Sequence, residues 1–315
     1  MLFSHKAPKL VWTENKNWIN SKPLTWESLR GTVILLDFWT YSCVNCLRTL
    51  PALKEMWAKY KDKRLIIIGV HTPEFEFEKG LTNVKKAARK HNLEYPILND
   101  PERINWENYG NTYWPRAAVI DAEGNLVLDH VGESGYDEIE AEIVKQLKKM
   151  KTIDHATLIT EEEQFYPVSI SKETYAGSKR NEGFGSSQVC AKHGCEEYYD
   201  AGKKYHQDVI YPQGDWKQST EDLEFKGEKG HLAFQYAAKE VNVVLSGKDA
   251  ATILLNDKPL TETNAGKDVI VKGGKSLAFI DGPEMYNLIK SKEFHTGVIK
   301  IIPFKGLKVY AYTFG

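Results

Sequence analysis

Two cysteines three residues apart, Cys43 and Cys46, sit where an apolar run gives way to an amphipathic one. The run Val33-Ile-Leu-Leu36 is short and β-branched at its start, and reads as a buried strand. Beyond the cysteines, Leu47, Leu50, Leu53, Trp57 and Tyr60 recur at helical spacing. A C-x-x-C pair at such a junction puts the first sulfur at a helix N-terminus. Unpaired N–H groups and the positive end of the helix dipole favour a thiolate there. The second sulfur lies one turn inward, close enough to close a disulfide. The chemistry that follows is thiol–disulfide exchange, with Cys43 as nucleophile and Cys46 as resolving thiol. Zinc ribbons share the C-x-x-C spacing but need a second ligand pair. The other two cysteines, Cys190 and Cys195, are spaced C-x4-C and lie far along the chain.

The elements that must position this pair are legible on both sides of it. Arg64–Val70 reads as a second buried strand. It is followed by His71-Thr-Pro-Glu74-Phe-Glu-Phe-Glu78 at a strand's C-terminal edge, where α/β sheets place their chemistry. Gly80–His91 reads as a charged helix, Tyr95–Asn99 as a short strand and Ile104–Tyr109 as a short helix. Arg116–Gly132 is two strands around Glu123-Gly-Asn125, a hairpin signal. Tyr136–Met150 closes the series as a helix with an acidic start and lysines at its end, which suits the macrodipole. Thr152–Glu163 is polar and reads as a linker. From Gln164 helical periodicity fades, and short runs such as His231–Ala237, Glu240–Gly247, Thr252–Lys258, Gly297–Pro303 and Gly306–Gly315 argue for an antiparallel sandwich. The expected division is a redox domain over 1–151, a linker over 152–163 and an all-β sandwich over 164–315.

The string Asp37-Phe-Trp39, then Cys43-x-x-Cys46, then Pro51, resembles thioredoxin-fold oxidoreductases. The fuller Trp39-Thr-Tyr-Ser-Cys-Val-Asn-Cys-Leu-Arg-Thr-Leu-Pro51 is similar to their TlpA/ResA-like branch, and most of all to the soluble C-terminal portion of DipZ proteins. That resemblance implies an α/β thioredoxin fold followed by a jelly-roll-like domain of the carbohydrate-binding-module kind. It implies that Asp37 matches the buried carboxylate of thioredoxins, raised in pKa by desolvation and able to take the Cys46 proton. Glu74 matches a glutamate that this branch places near the cysteines. Trp114-Pro115 matches the X-cis-Pro of the fold, whose preceding backbone can pair with an extended substrate, and Trp39 joins it as a substrate-facing residue. Thioredoxins usually carry a small or β-branched residue before this proline, so Trp114 departs from them. The Val-Asn dipeptide between the cysteines lacks the histidine of strong oxidants, which leans the expectation toward a reductant. Ser171–Gly177, Gly214-Asp-Trp216, Leu255–Leu260 and Ala311–Gly315 carry the resemblance through the second half.

Lysines and arginines number 42 against 43 acidic residues, for a net charge of -1, which argues for no nucleic-acid partner. No apolar run is long enough to span a bilayer, and the first residues lack the pattern of a signal peptide. The literal expectation is a soluble cytoplasmic protein, or an extracytoplasmic one if the chain is a piece of a secreted or tethered parent. Expected partners are disulfide-containing or dithiol proteins. By resemblance they include a CcdA/DsbD-like membrane electron donor, and a glycan or protein docked on the second domain, with Trp216 available for stacking but more readily a core residue. No organic cofactor is expected. The alternatives are a thiol peroxidase, disfavoured because Cys43 lacks the proline of Pro-x-x-x-Thr-x-x-Cys, and a binding module built on a thioredoxin-like scaffold. Cys190 and Cys195 admit three readings: a loop disulfide or free thiols, a zinc site with His193 and His206, or a second redox pair.

Overall fold

The computed structural model describes residues 5–11, 15–160, 169–189, 196–202 and 204–315. The chain divides into two compact units, residues 1–164 and 165–315.

The first unit is a seven-stranded sheet, β1 (His5–Lys6), β2 (Trp18–Ile19), β3 (Val33–Trp39), β4 (Leu65–His71), β5 (Ile97–Asn99), β6 (Arg116–Ile120) and β7 (Asn125–Val131), in the order β1-β7-β6-β3-β4-β5-β2. Strands β3, β4 and β5 run parallel, β6 runs antiparallel to β3, and β7 runs antiparallel to β6. Every residue of β3 is buried, which is why its sequence is an unbroken apolar run with one interruption, Asp37. Helices α1 (Val44–Tyr60), α2 (Leu81–Lys90) and α4 (Tyr136–Lys149) cover one face through Leu50, Leu53, Met56, Val84 and Ile143. The short α3 (Ile104–Asn108) and Trp18 close the other. Trp18 and Trp26 pack into that second core, in keeping with a packing role for the N-terminal tryptophans. The β6–β7 hairpin turns at Gly124, whose φ of 81° suits glycine, with Asp121 accepting from the Glu123 and Asn125 backbone N–H groups.

Residues 152–160, expected to begin a free linker, lie against this unit instead. Ile153 is buried in the helix-side core and Ile159 packs on it. Glu140, fully buried on α4, accepts hydrogen bonds from Lys59 Nζ (3.1 Å), the Tyr60 hydroxyl (2.8 Å) and the Ile159 backbone N–H. Lys59 also donates to the Thr157 carbonyl.

The second unit is one large antiparallel sheet of twelve strands around a separate apolar core. His231–Gly247, read in sequence as two strands, contains one sixteen-residue strand, His231–Ser246, with a register shift between Ala238 and Glu240. It pairs with Ile210–Gln218 near its start and with Lys308–Phe314 near its end, so it changes neighbours along its length and the sheet curls around the core. Glu284–Ile302 is longer still, at nineteen residues. Trp216, the stacking candidate, is fully buried, and its indole N–H donates to the Gln213 carbonyl, so it is a core residue. Cys190, His193 and Cys195 lie outside the described residues. His206 is described, and its backbone N–H donates to the Tyr211 hydroxyl. Among the described residues no group of three or more potential metal ligands converges.

Candidate active site

Strand β3 delivers the chain to the site and α1 begins on it. Cys43 is the N-cap of α1, with extended backbone, and its Sγ accepts the Cys46 N–H at 3.2 Å. The sulfur thus takes the place of the usual capping oxygen, and the orphan donors of the first turn face it. Cys43 is partly exposed, whereas Cys46 has no exposed surface. Burial pushes the Cys46 thiol well above the ordinary cysteine range, and the neighbouring Cys43 sulfur adds to the effect.

Beneath the pair lies Asp37. It is fully buried, and neither carboxyl oxygen has a hydrogen-bond partner among the described residues. Desolvation alone pushes its pKa up to about 7, and its charge is felt at Cys46. An acid that titrates near neutrality beside a thiol that resists ionisation is an arrangement for moving one proton.

Trp39, expected to face substrate, does not reach the surface. It is fully buried, edge-on to His71 at 5.2 Å, because both faces of β3 are covered. A Cβ on Gly69 of the neighbouring strand would come within 2.9 Å of its indole nitrogen, so glycine there makes room for the ring. Trp39 is a floor to the site and not a wall.

Glu74 is partly buried in the loop after β4, and the group that the loop drives inward is Glu78. Residues Glu76–Lys79 form a 3-10 turn, whose three-residue repeat puts Phe75 and Glu78 on one side. Glu78 is fully buried and receives five donors. They are the hydroxyls of Thr40 (2.6 Å) and Ser42 (2.7 Å) and the backbone N–H groups of Ser42 (3.2 Å), Glu74 (2.6 Å) and Phe75 (3.0 Å). Burial, with a smaller contribution from Glu74, raises its pKa to about 7 against the pull of those bonds. Glu78 therefore staples the turn 40–42, which leads into Cys43, to the loop after β4. His71, also fully buried, stacks on Tyr41 and lies 3.4 Å from the Thr40 hydroxyl and 3.2 Å from Asn99 Oδ1. Burial lowers its pKa to about 4, so it is neutral at physiological pH. The ordinary sequence reading of Glu74, Glu76 and Glu78 is a surface charge cluster. The visible signal for Glu78 was the pair of hydroxyl residues, Thr40 and Ser42, waiting for an acceptor.

On the opposite side Trp114-Pro115 is a cis peptide. Pro115 is buried, and its carbonyl accepts from the Gly132 N–H. Trp114 is half-buried, with Tyr113 beside it 66% exposed and Val131 54% exposed. Asn45, between the cysteines, accepts from Arg48, which also pairs with Glu133 at 3.2 Å.

A fold of this order with a C-x-x-C N-cap over a buried aspartate defines a class, and the comparisons with known proteins agree. Residues 4–128 match the AhpC/TSA family, and residues 171–315 match the thioredoxin-like C-terminal domain family. The chain is 31% identical over 143 residues to the thiol-disulfide oxidoreductase YkuV of Bacillus subtilis, covering 45% of this chain and 95% of that protein. It is 30% identical over 315 residues to protein DipZ of Mycobacterium tuberculosis, covering 95% of this chain and 41% of that one. A solution structure of a thioredoxin-like protein in the oxidized form is similar at 30% identity, covering 46% of this chain and 97% of that chain, with a TM-score of 0.42. The chain belongs to the thioredoxin-like thiol-disulfide oxidoreductases. It spans about two-fifths of the length of the DipZ proteins it matches.

Proposed function

We propose that this protein reduces disulfides in other proteins through Cys43 and Cys46. The observation that carries the reading is the sulfur of Cys43 capping α1 above an unpartnered, buried Asp37. The Cys43 thiolate attacks one sulfur of the substrate disulfide, and the other sulfur leaves as a thiolate. Asp37 takes the Cys46 proton, and the Cys46 thiolate attacks Cys43 Sγ. The Cys43–Cys46 disulfide forms and the second substrate thiolate leaves, so two electrons have passed to the substrate. A dithiol donor must then reduce the pair. A CcdA/DsbD-like membrane protein is the donor that the DipZ likeness suggests. Among the described residues no helix is long and apolar enough to cross a membrane.

The exposed Tyr113 and Val131 beside Pro115 support a polypeptide substrate, laid along the Trp114 backbone as an added strand. Residues 1–160 would carry the chemistry, and the second unit would dock or shield a partner.

Insulin reduction with dithiothreitol tests the reading. Cys43→Ser is expected to abolish turnover, and Cys46→Ser to trap a mixed disulfide that runs as a higher band without reductant. If Cys43→Ser reduces insulin as wild type does, the reading fails. An equilibrium potential near that of thioredoxin, about -270 mV, is expected for a reductant, and one near about -120 mV would make the protein an oxidant.

A further inference from the structure

Arginine at position 103 sits in the left-handed region, φ 60° and ψ 22°, at the N-cap of α3. That conformation is unfavourable for a residue with a Cβ, and such outliers persist only where their surroundings over-determine them. Its backbone N–H donates to the Asp100 carbonyl and its carbonyl accepts from the Glu107 N–H, and its side chain adds three further contacts. The guanidinium carbon lies 4.8 Å from the Trp106 ring centre and 5.2 Å from that of Trp114, and Nη1 donates to the Pro73 carbonyl at 3.0 Å. The two indoles are themselves in contact, with centres 4.1 Å apart. Pro73 opens the loop that carries Glu74 and Glu78, α3 carries Trp106, and Trp114 precedes Pro115. One side chain thus ties together three segments around the site.

The consequence concerns Trp114. Its ring packs on both cores of the first unit, and its buried indole N–H has no hydrogen-bond partner among the described residues. Stacking on Trp106 and the cation above it supply the hold. Its peptide groups make no hydrogen bond among the described residues, which leaves them open to a strand laid alongside. A ring of this size freed beside Pro115 would sweep the surface where such a strand must lie.

We propose that Arg103 is a positioning residue that parks the Trp114 ring against α3 and so keeps the groove beside Pro115 open to an extended polypeptide. The proposal rests on the thiol–disulfide reading of the site and assigns it a specificity element. A small disulfide that the Cys43 thiolate attacks without its lying along the Trp114 backbone is indifferent to the ring.

Two substrates separate the effects: insulin, and bis(2-hydroxyethyl) disulfide. Arg103→Ala is expected to lower kcat/KM for insulin by about tenfold, below the roughly hundredfold that a 1 Å misplacement of reacting groups can cost. Turnover of the small disulfide should stay within about twofold of wild type. Arg103→Lys, which keeps the charge and loses the planar fork, should fall between. Adding Trp114→Thr to Arg103→Ala is expected to recover insulin reduction, because the smaller side chain needs no parking. The proposal is overturned if Arg103→Ala reduces insulin as wild type does, if both substrates slow equally, or if the folded double variant shows no recovery. Should Arg103→Ala fail to fold, the lysine and double variants decide by the same ratio. Failure of the underlying redox reading would look different, since wild type and Cys43→Ser would then match on both substrates.

Discussion

Asp37 holds two carboxyl oxygens in an apolar strand with no partner among the described residues, and stability records that burden. Its ordinary pKa is 3.8, and in the fold it is about 7. Between those values the folded chain keeps a proton that the unfolded chain has lost, so stability falls as pH rises through this window. The penalty is complete above it and amounts to about 4 kcal/mol. Asp37→Asn is therefore expected to unfold at higher urea than wild type at pH 8 and to show no gain at pH 4. The same variant should slow the resolving step and lengthen the life of the mixed disulfide seen by rapid quench. Glu78 is the opposite kind of buried acid, with both carboxyl oxygens accepting hydrogen bonds. In Glu78→Gln the amide nitrogen meets either the hydroxyls or the Glu74 and Phe75 N–H groups. The expected loss is about 2–3 kcal/mol at pH 8, read from urea unfolding. Asp37 was legible because an acid interrupts an apolar strand. Glu78 was harder to read, because a run of three glutamates looks like a surface cluster until the 3-10 turn carries one of them inward. Nothing in the sequence marks Arg103, since a left-handed arginine has no sequence signature.

Among the elements, β3 and β4 tolerate little change. Gly69→Ala would drive a methyl into the Trp39 indole, 2.9 Å away, and into Tyr95 at 3.2 Å. Overpacking of this kind costs about 1–3 kcal/mol, and a thermal melt should show it. The helix and strand order of the first unit follows from periodicity and from the Glu123-Gly124 turn, and the sequence shows it well. The second unit is less transparent. The strand Glu284–Ile302 was read only from Gly297 onward, because Lys290, Glu293 and Phe294 through Thr296 lie at least partly exposed and break the apolar alternation. Its pairing with His231–Ser246 across almost its whole length overrides that local signal.

At the scale of the whole chain, two compact units that each bury apolar cores of their own imply two unfolding events, and calorimetry is expected to resolve them. Where the first unit stops matters to that experiment. A fragment ending at 151 leaves Glu140 without the Ile159 N–H and Lys59 without the Thr157 carbonyl, so it should melt below one ending at 164. That contact set has a further meaning. Thr157 and Ile159 are pinned near the last turn of α1, and the seventeen residues of that helix place about 25 Å between its two ends. Cys43 occupies the first end, so Thr157 and Ile159 are held about one helix length from the sulfurs. An insertion made just beyond them starts away from the exchanging sulfurs. A handful of glycines and serines spliced in after residue 160 should leave exchange with a small disulfide at the wild-type rate, whatever they do to larger guests.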